Sequence, residues 1–354
     1  MGLLVLVGLF LLGQYWSVPY YALTPGDARP VAPLISVTGL KTDTHRDTIM
    51  LTDVYLSSLN LWRWLTMHLQ SHVEFVPASA LVEPGVPTSQ IEAQGYLEMA
   101  DSKLAAEVAA LRALGWRVPV TSQGATVTAV VASSPAFGHL HVADRIVRVN
   151  GRAVRNACSL VSVVHALAPG STVHLGVDVA RIGASGALSY SSARTISLVT
   201  RASSSLGASS CPGVTGPDRS YLGIALENAL HARLPGTIRV DTSSIGGPSA
   251  GLAMTLALID RLSAGSLTGH HVIAATGTIA MNGAVGDVGG VAEKTVAVAR
   301  AGASVFLVPS VEVATARSAA PAGLKVLGVN SLRQALADLR ALGGAAPVPL
   351  SAPR

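Results

Sequence analysis

The chain has 354 residues, of which 49% are hydrophobic and only 13% carry a charged side chain. This length is sufficient for two globular domains, since one domain typically takes about 100 to 200 residues. The net charge of +5 comes from thinly spread arginines and four lysines, and aromatic residues make up 4% of the chain. No run of five basic residues occurs, so the sequence argues against nucleic-acid binding.

The N-terminal stretch from Gly2 to Leu23 carries no charged residue. As a helix it would be about 33 Å long, which exceeds the roughly 30 Å hydrocarbon core of a bilayer. Trp16, Tyr20 and Tyr21 cluster at its far end, where amphipathic rings favour the membrane interface. We therefore predict a transmembrane anchor at residues 1–24. A cleaved signal peptide is the alternative, although the basic start and small-residue cleavage site of that class are unclear here.

Residues 25–112 are interpreted as a membrane-proximal segment. Asp47 to Leu56 has the composition of a strand, and Leu59 to Leu69 predicts a helix. Ala93 to Leu114 predicts an amphipathic helix, because apolar residues recur along one of its faces. The segment is expected to pack against the next domain or against a neighbouring subunit.

Short strands separated by turn signals follow at residues 113–200. Gly124 to Val131 alternates as a strand does, and Asn150–Gly151 predicts a tight turn between two short apolar strands. A helix and the strand Val173–Val179 complete an order that resembles a bacterial PDZ domain. The resemblance implies that an extended peptide adds to a sheet edge, often with backbone amides around its terminal carboxylate. A β-rich packing module without a ligand is the alternative.

The tripeptide Leu114-Gly115-Trp116 is our prediction for the carboxylate-binding loop, because it immediately precedes the other strands of the PDZ-like domain. The similar sequence Tyr221 to Ile224 is interpreted instead as the start of the first strand of the following domain.

Residues 201–218 form a polar stretch that is interpreted as an interdomain linker. It contains Cys211, and the only other cysteine of the chain is Cys158. A disulfide between them and a pair of unpaired thiols are both compatible with the sequence. No histidine or further cysteine lies at metal-ligand spacing from either residue, so no metal site is predicted.

Ser249 is the candidate nucleophile of the domain predicted at residues 219–343. It lies in Gly247-Pro248-Ser249-Ala250-Gly251, just before an apolar run with helical spacing. The glycines permit close backbone approach, and the free amides of a helix N-terminus favour developing negative charge. Lys294 follows 45 residues later and is one of only four lysines. A buried lysine that loses its proton can serve as the base that a serine nucleophile requires.

Motifs on both sides of Ser249 make the stretch Ser243–Pro309 similar to the proteolytic domain of Lon-type proteases. The matching pieces are Gly247-Pro248-Ser249-Ala250-Gly251, Thr276-Gly277-Thr278-Ile279, Gly283-Ala284-Val285, Val288-Gly289-Gly290, Glu293-Lys294 and Val305–Pro309. The resemblance implies a serine–lysine endopeptidase in which Thr276 helps to position the lysine. One departure is that many Lon domains carry an acidic residue where this chain has Ile245 or Gly246.

The predicted fold class is therefore α/β (mixed α+β), with a Lon-type proteolytic domain preceded by a β-rich PDZ domain and an N-terminal transmembrane helix. No lysine follows a glycine, so the phosphate-binding pattern Gly-x-x-x-x-Gly-Lys-Ser/Thr is absent. We expect no nucleotide or other cofactor, and peptides or unfolded proteins as substrates. The resemblance further implies a ring such as a hexamer, and similar membrane-tethered proteases hold both domains outside the cytoplasm.

Three alternatives to this prediction are compatible with parts of the sequence. The pattern Gly247-x-Ser249-x-Gly251 also fits the nucleophile elbow of α/β-hydrolases, which needs an acid and then a histidine downstream. The last histidines, His270 and His271, come too soon for that order, with Asp260 as the only intervening acid. A second alternative is a simple glycine turn with a surface lysine, and a third is a PDZ-based scaffold with a catalytically silent protease-like domain.

Residues 344–354 are predicted to be a disordered tail.

Overall fold

A computed structural model describes residues 11–43, 47–81, 87–183, 186–203, 211, 219–242 and 245–352. Most of the apolar part of the predicted anchor and most of the predicted linker lie outside these described residues.

The helices of the described ranges are α1 (Leu61–Met67), α2 (Ala78–Leu81), α3 (Thr88–Ala113), α4 (Ala157–His165), α5 (Gly251–Leu262), α6 (Val291–Arg300), α7 (Val313–Ala319) and α8 (Leu332–Ala341). Their strands are β1 (Ser17–Pro30), β2 (Ile35–Thr38), β3 (Ile49–Asn60), β4 (Glu74–Pro77), β5 (Val120–Val130), β6 (Arg145–Val149), β7 (Arg152–Ala153), β8 (Thr172–Asp178), β9 (Ala180–Ile182), β10 (Leu188–Tyr190), β11 (Arg194–Val199), β12 (Arg201–Ser203), β13 (Arg219–Tyr221), β14 (Ile224–Ala232), β15 (Thr237–Val240), β16 (Ser263–Ala264), β17 (Ile273–Ala275), β18 (Thr278–Ile279), β19 (Val285–Gly286), β20 (Val305–Pro309), β21 (Lys325–Val329) and β22 (Val348–Pro349).

A six-stranded mixed sheet in the order β21-β20-β17-β3-β1-β4 forms the centre of the unit that carries Ser249 and Lys294. The strands from β21 to β3 are parallel neighbours, whereas β1 runs antiparallel to both β3 and β4. Because side chains alternate along a strand, Ile273 packs with α3, α5 and α8 on one face, and Ala274 packs with α6 on the other. Burial on both faces explains why β17 and β20 are almost purely apolar.

This sheet is assembled from both ends of the chain. Ile49 of β3 pairs with Ile273 of β17, although more than 200 residues separate them in sequence. Strands β1, β3 and β4 therefore belong to the same sheet as strands that follow residue 219, which corrects the division into a membrane-proximal segment and a separate proteolytic domain. The sequence patterns identify strands, but they do not say which strands pair across a long separation.

The predicted helix from Gly2 to Leu23 is corrected at its C-terminal part. Ser17–Pro30 is strand β1, in which Ala22 pairs with Ser57 on one side and Phe75 on the other. A helical turn is described only at residues 11–15. Prolines and β-favouring aromatic residues follow this turn, so pairing with β3 prevails over helix formation. Within the described ranges, no helix has both the length and the apolar character needed to cross a bilayer.

A second sheet, in the order β11-β8-β6-β5-β14 with β7 beside β6, forms the β-rich unit between α3 and β15. Its core contains Val127, Leu160, Leu175, Leu198 and Leu222. Strand β14 occupies the sheet edge and pairs antiparallel with β5. The far end of this β5–β14 ribbon enters the core beside the first sheet, where Ala232 is buried, so β14 is shared by the two units.

Two further contacts fix peripheral segments. Cys158 at the start of α4 forms a disulfide with Cys211, so the described cysteines are bonded rather than free. The predicted disordered tail is ordered as far as residue 352, because Val348–Pro349 pairs with β16 and the Ala345 backbone N–H donates to the Ser266 carbonyl at 2.7 Å.

Candidate active site and peptide groove

Ser249 lies in a tight turn two residues before α5 begins. The turn opens at Gly247, whose φ of +87° is in the left-handed region that favours glycine. It closes at Gly251, where a Cβ atom would lie 2.8 Å from Cγ2 of Ile279. Gly247 is therefore required by its backbone conformation, and Gly251 is required by close packing against Ile279.

Hydrogen bonds attach the Ser249 turn to the carboxyl end of β17. The Ser249 carbonyl accepts from the Gly277 backbone N–H at 2.9 Å and from the Thr276 hydroxyl at 3.3 Å. The Leu252 N–H in turn donates to the Gly277 carbonyl at 3.0 Å. Thr276, which is fully buried, was predicted to position the lysine, but its hydroxyl contacts the serine residue instead.

Two backbone N–H groups remain available beside the serine. Those of Ser249 and Ala250 donate to no acceptor among the described residues, although Ala250 is only 2% exposed. They lie where α5 begins, and the partial positive charge of a helix N-terminus adds to their attraction for an anion. This geometry suits the stabilisation of a developing oxyanion.

Lys294 lies in the first turn of α6 and is only 3% exposed. Gly290 precedes the helix with a φ of +67°, and a Cβ atom there would lie 2.9 Å from Cγ1 of Val54. Burial lowers the pKa of the Lys294 amine to about 8, although the carboxylates of Glu312 and Asp53 act in the opposite direction. In the described part of the chain, Nζ of Lys294 has no hydrogen-bond or ion-pair partner.

Each of the two carboxylates near Lys294 accepts another hydrogen bond, although Oε2 of Glu312 is buried with no hydrogen-bond partner among the described residues. Glu312 accepts the Val288 backbone N–H at 2.8 Å, and Asp53 accepts the Arg29 guanidinium at 3.2 Å. Sequence reasoning missed both residues. Asp53 comes from the opposite end of the chain, so no local motif links it to the lysine.

The serine turn and the surroundings of the lysine lie at one edge of the central sheet. Thr276 directly follows β17, and Glu312 follows β20, its parallel neighbour. The carboxyl ends of parallel strands meet at the same sheet edge, which is where open α/β sheets form their sites. This edge therefore carries the Ser249 turn and the two carboxylates that act on the Lys294 amine, and two amide donors of the turn have no acceptor among the described residues.

A second candidate site is a groove of about 410 Å³ between α4 and the edge strand β14. Its apolar lining includes Val131, Leu160, Val164, Tyr221, Leu222 and Ile224. Gly223 has a φ of +77°, and a Cβ atom there would collide with the side chain of Ser134. The carbonyls of Leu222 and Gly223 accept from Ala136 and Val131, whereas their own N–H groups have no acceptor among the described residues.

The predicted carboxylate-binding loop does not lie at this groove. Leu114 is the C-terminal cap of α3, is 3% exposed and packs with Trp116 in the proteolytic core. The sequence Tyr221 to Ile224, which had been assigned to the proteolytic domain, lines the groove instead. The two tripeptides look alike locally, but only the second precedes a strand with a free edge.

Comparison with protein families agrees with these two units. Residues 112–180 match the model of the PDZ domain, and residues 227–336 match the model of the Lon protease (S16) C-terminal proteolytic domain. The chain carries a PDZ domain and a Lon-type proteolytic domain. Both resemblances drawn from the sequence are therefore confirmed at the level of domains.

One curated relative is similar to part of the proteolytic domain. A Lon protease from Clostridioides difficile (strain 630) is 42% identical over 83 residues, which is 23% of this chain and 10% of the relative. The chain thus aligns with only about a tenth of that protein's length.

Among solved structures, the PDZ domain of an SdrC-like protein from Listeria monocytogenes is 21% identical, with a TM-score of 0.22 over 30% of this chain and 92% of that one. The PDZ domain of an SdrC-like protein from Listeria innocua is 18% identical, with a TM-score of 0.21 over 29% and 92% of the two chains.

Proposed function

We propose that this chain is an ATP-independent serine endopeptidase in which Ser249 is the nucleophile and Lys294 the general base. The observation that carries the proposal is the burial of Lys294 in a Lon-type proteolytic domain, with its pKa lowered to about 8. An amine with that pKa is partly deprotonated near neutral pH, so it can accept the proton of a serine hydroxyl.

In this mechanism Oγ of Ser249 attacks the scissile carbonyl carbon while Nζ of Lys294 takes the hydroxyl proton. The backbone N–H of Ser249 and a neighbouring amide stabilise the oxyanion of the tetrahedral intermediate. Lys294 then donates the proton to the leaving amine, which breaks the peptide bond and leaves an acyl-enzyme. A water molecule, deprotonated by the same lysine, attacks the ester and releases the second product.

A catalytically silent scaffold is the second candidate, since the PDZ domain alone could account for a binding function. The buried lysine speaks against it. Keeping an amine away from water destabilises the folded chain, and a scaffold gains nothing from that loss.

We further propose that the groove beside β14 selects or gates extended protein substrates. A peptide could extend the sheet at the free edge of β14, with its carboxylate near the amides of Leu222 and Gly223. Replacing Val161, which also lines the groove but is only half-buried, by Glu should abolish binding of a fluorescent apolar C-terminal peptide without removing the labelling of Ser249 by a serine-reactive probe. Unchanged peptide binding would refute this role for the groove.

Tethering to a membrane, with both domains outside the cytoplasm, is a further part of the proposal. The uncharged stretch that begins at Gly2 supports it, as do the exposed side chains of Leu12, Tyr15 and Trp16 at its end. The Cys158–Cys211 disulfide supports an oxidising compartment. Flotation of the full chain with liposomes should be lost when residues 1–10 are deleted, and persistence of flotation would contradict the tether.

A homo-oligomeric ring is proposed from the similarity to Lon, and native mass spectrometry would reveal it.

The first test is cleavage of fluorescent β-casein by the full chain in detergent without ATP. Ser249→Ala and Lys294→Ala should each reduce cleavage at least about a thousandfold. Lys325→Met, which removes an exposed lysine, serves as the matched control and should retain activity. Cleavage that persists in Ser249→Ala would refute the proposed nucleophile.

A further inference from the structure

Helix α3 contacts the Ser249 turn through two small residues on one face. Gly95 and Ser102 are seven residues apart, which is close to two helical turns, so they lie on the same side. The Gly95 carbonyl accepts the Gly247 backbone N–H at 2.7 Å, and the Ser102 hydroxyl donates to the Pro248 carbonyl at 2.9 Å. These residues lie outside both ranges that match family models.

The contact leaves little room for movement. A Cβ atom on Gly246 would lie 3.2 Å from the carbonyl carbon of Gly95, so the two backbones pack directly. Ser102 is 5% exposed, and its Oγ would lie only 2.9 Å from a Cβ atom on Gly251. Ser102 is therefore enclosed between the nucleophile turn and the start of α5.

The bond from Ser102 bears on the peptide group that joins Pro248 to Ser249. A trans peptide is planar, so its carbonyl and its N–H point in opposite directions. The hydroxyl of Ser102 draws the Pro248 carbonyl toward α3, which directs the Ser249 N–H away from α3. The other bond to this carbonyl, from the Gly251 N–H, is longer at 3.2 Å.

We propose that Ser102 is a positioning residue that orients the Ser249 backbone N–H as an oxyanion donor. This inference rests on the proposed function, because it requires Ser249 to be the nucleophile. Thr276 and Gly277 donate to the carbonyl of Ser249 itself, and Ser102 donates to the carbonyl of Pro248. The peptide groups on both sides of Ser249 are therefore held by hydrogen bonds. Without the Ser102 hydroxyl, the peptide group between Pro248 and Ser249 keeps only the longer bond from Gly251. It can then rotate, and the Ser249 N–H loses its fixed direction.

The test compares Ser102→Ala with Ser102→Thr, which retains the hydroxyl, in the full chain. Ser263→Ala is the matched control: Ser263 is also buried and its hydroxyl also donates to a backbone carbonyl, but it lies at the opposite end of α5. For each variant, kcat and KM on fluorescent β-casein are measured per active site, counted by labelling with a fluorophosphonate probe. Thermal unfolding is followed in parallel.

Ser102→Ala should lower kcat per labelled site about 10- to 100-fold with KM changed less than about threefold, since loss of an oriented oxyanion donor costs up to about a thousandfold. Ser102→Thr should recover most of kcat, and Ser263→Ala should keep it. A kcat per labelled site within about twofold of wild type in Ser102→Ala would overturn the inference, whatever happens to the melting temperature. Absence of labelling at Ser249 in the wild type would instead refute the proposed function, and this inference with it.

Discussion

The PDZ domain and the proteolytic domain differ in how the chain builds them. The PDZ sheet uses strands from one continuous stretch, Val120 to Ala232, whereas the proteolytic sheet combines β1, β3 and β4 with strands that come after the PDZ domain. The PDZ domain is thus inserted into the proteolytic domain, and the β5–β14 ribbon and α3 connect the two. A family match that begins at residue 227 covers only the later part of the proteolytic unit.

The strongest way to test this comparison is to express the two units separately. A chain of residues 219–352 lacks β3 and β1, which lie inside the sheet, and the edge strand β4, so it should fail to fold. A chain of residues 112–232 contains the complete PDZ sheet and should fold. Amide dispersion in two-dimensional NMR spectra distinguishes these outcomes, and a well-dispersed spectrum from residues 219–352 would contradict the assembly from both ends.

Lys294→Met should separate activity from stability within the proteolytic domain. Activity should disappear, yet the free energy of unfolding at pH 7 should rise by up to about 3 kcal/mol, because a pKa lowered from 10.5 to about 8 records the cost of burying the charged amine. The unfolded chain binds this proton up to about pH 10.4, so wild-type stability should increase between pH 8 and 10, and the gain of the variant should shrink there.

Urea unfolding at pH 7 and at pH 10 measures the effect, with Lys325→Met as the control because Lys325 is exposed. A destabilised Lys294→Met at pH 7 would contradict the account of the lysine as a buried, unpaired amine.

A further expected effect falls on the PDZ domain alone. Replacing Cys158 and Cys211 by serine opens a loop with a sequence separation of 53 residues, which should destabilise that domain by about 4 kcal/mol through the entropy of the unfolded chain. Hydrogen exchange should accelerate in β5 to β11 and stay unchanged in β17 and β20. Equal acceleration in both sheets would mean that the two domains unfold as one unit.

Local patterns predicted part of the fold. The apolar run with helical spacing after Ser249 predicted a helix, which the structure shows as α5, and Val173–Val179 predicted a strand that overlaps β8. The two motifs around Ser249 and Lys294 also supplied the proposed nucleophile and the proposed base. The sequence could not show which strands pair when they lie far apart in the chain, as β3 and β17 do through Ile49 and Ile273.

The same limit applies to the residues around the sites. Ser102 reaches the Ser249 turn, and Asp53 reaches the surroundings of Lys294, from elements that precede the PDZ domain. A helix-spacing argument alone gives a serine on α3 no role. The assignment of Leu114 to the peptide groove failed for a related reason. A carboxylate-binding loop is defined by the free strand edge that follows it, and sheet order becomes visible only in the folded chain.

The central claim is that Lys294 activates Ser249, and one measurement tests it directly. The rate at which a fluorophosphonate labels the full chain should be followed from pH 6 to 10, with the adduct located by peptide mass mapping. We predict an adduct on Ser249 whose rate rises about 50-fold between pH 6 and 8, levels off above pH 9 and is lost in Lys294→Ala, as expected for a base with a pKa of about 8. An adduct at another residue, or a rate that stays constant across this range, would contradict the account.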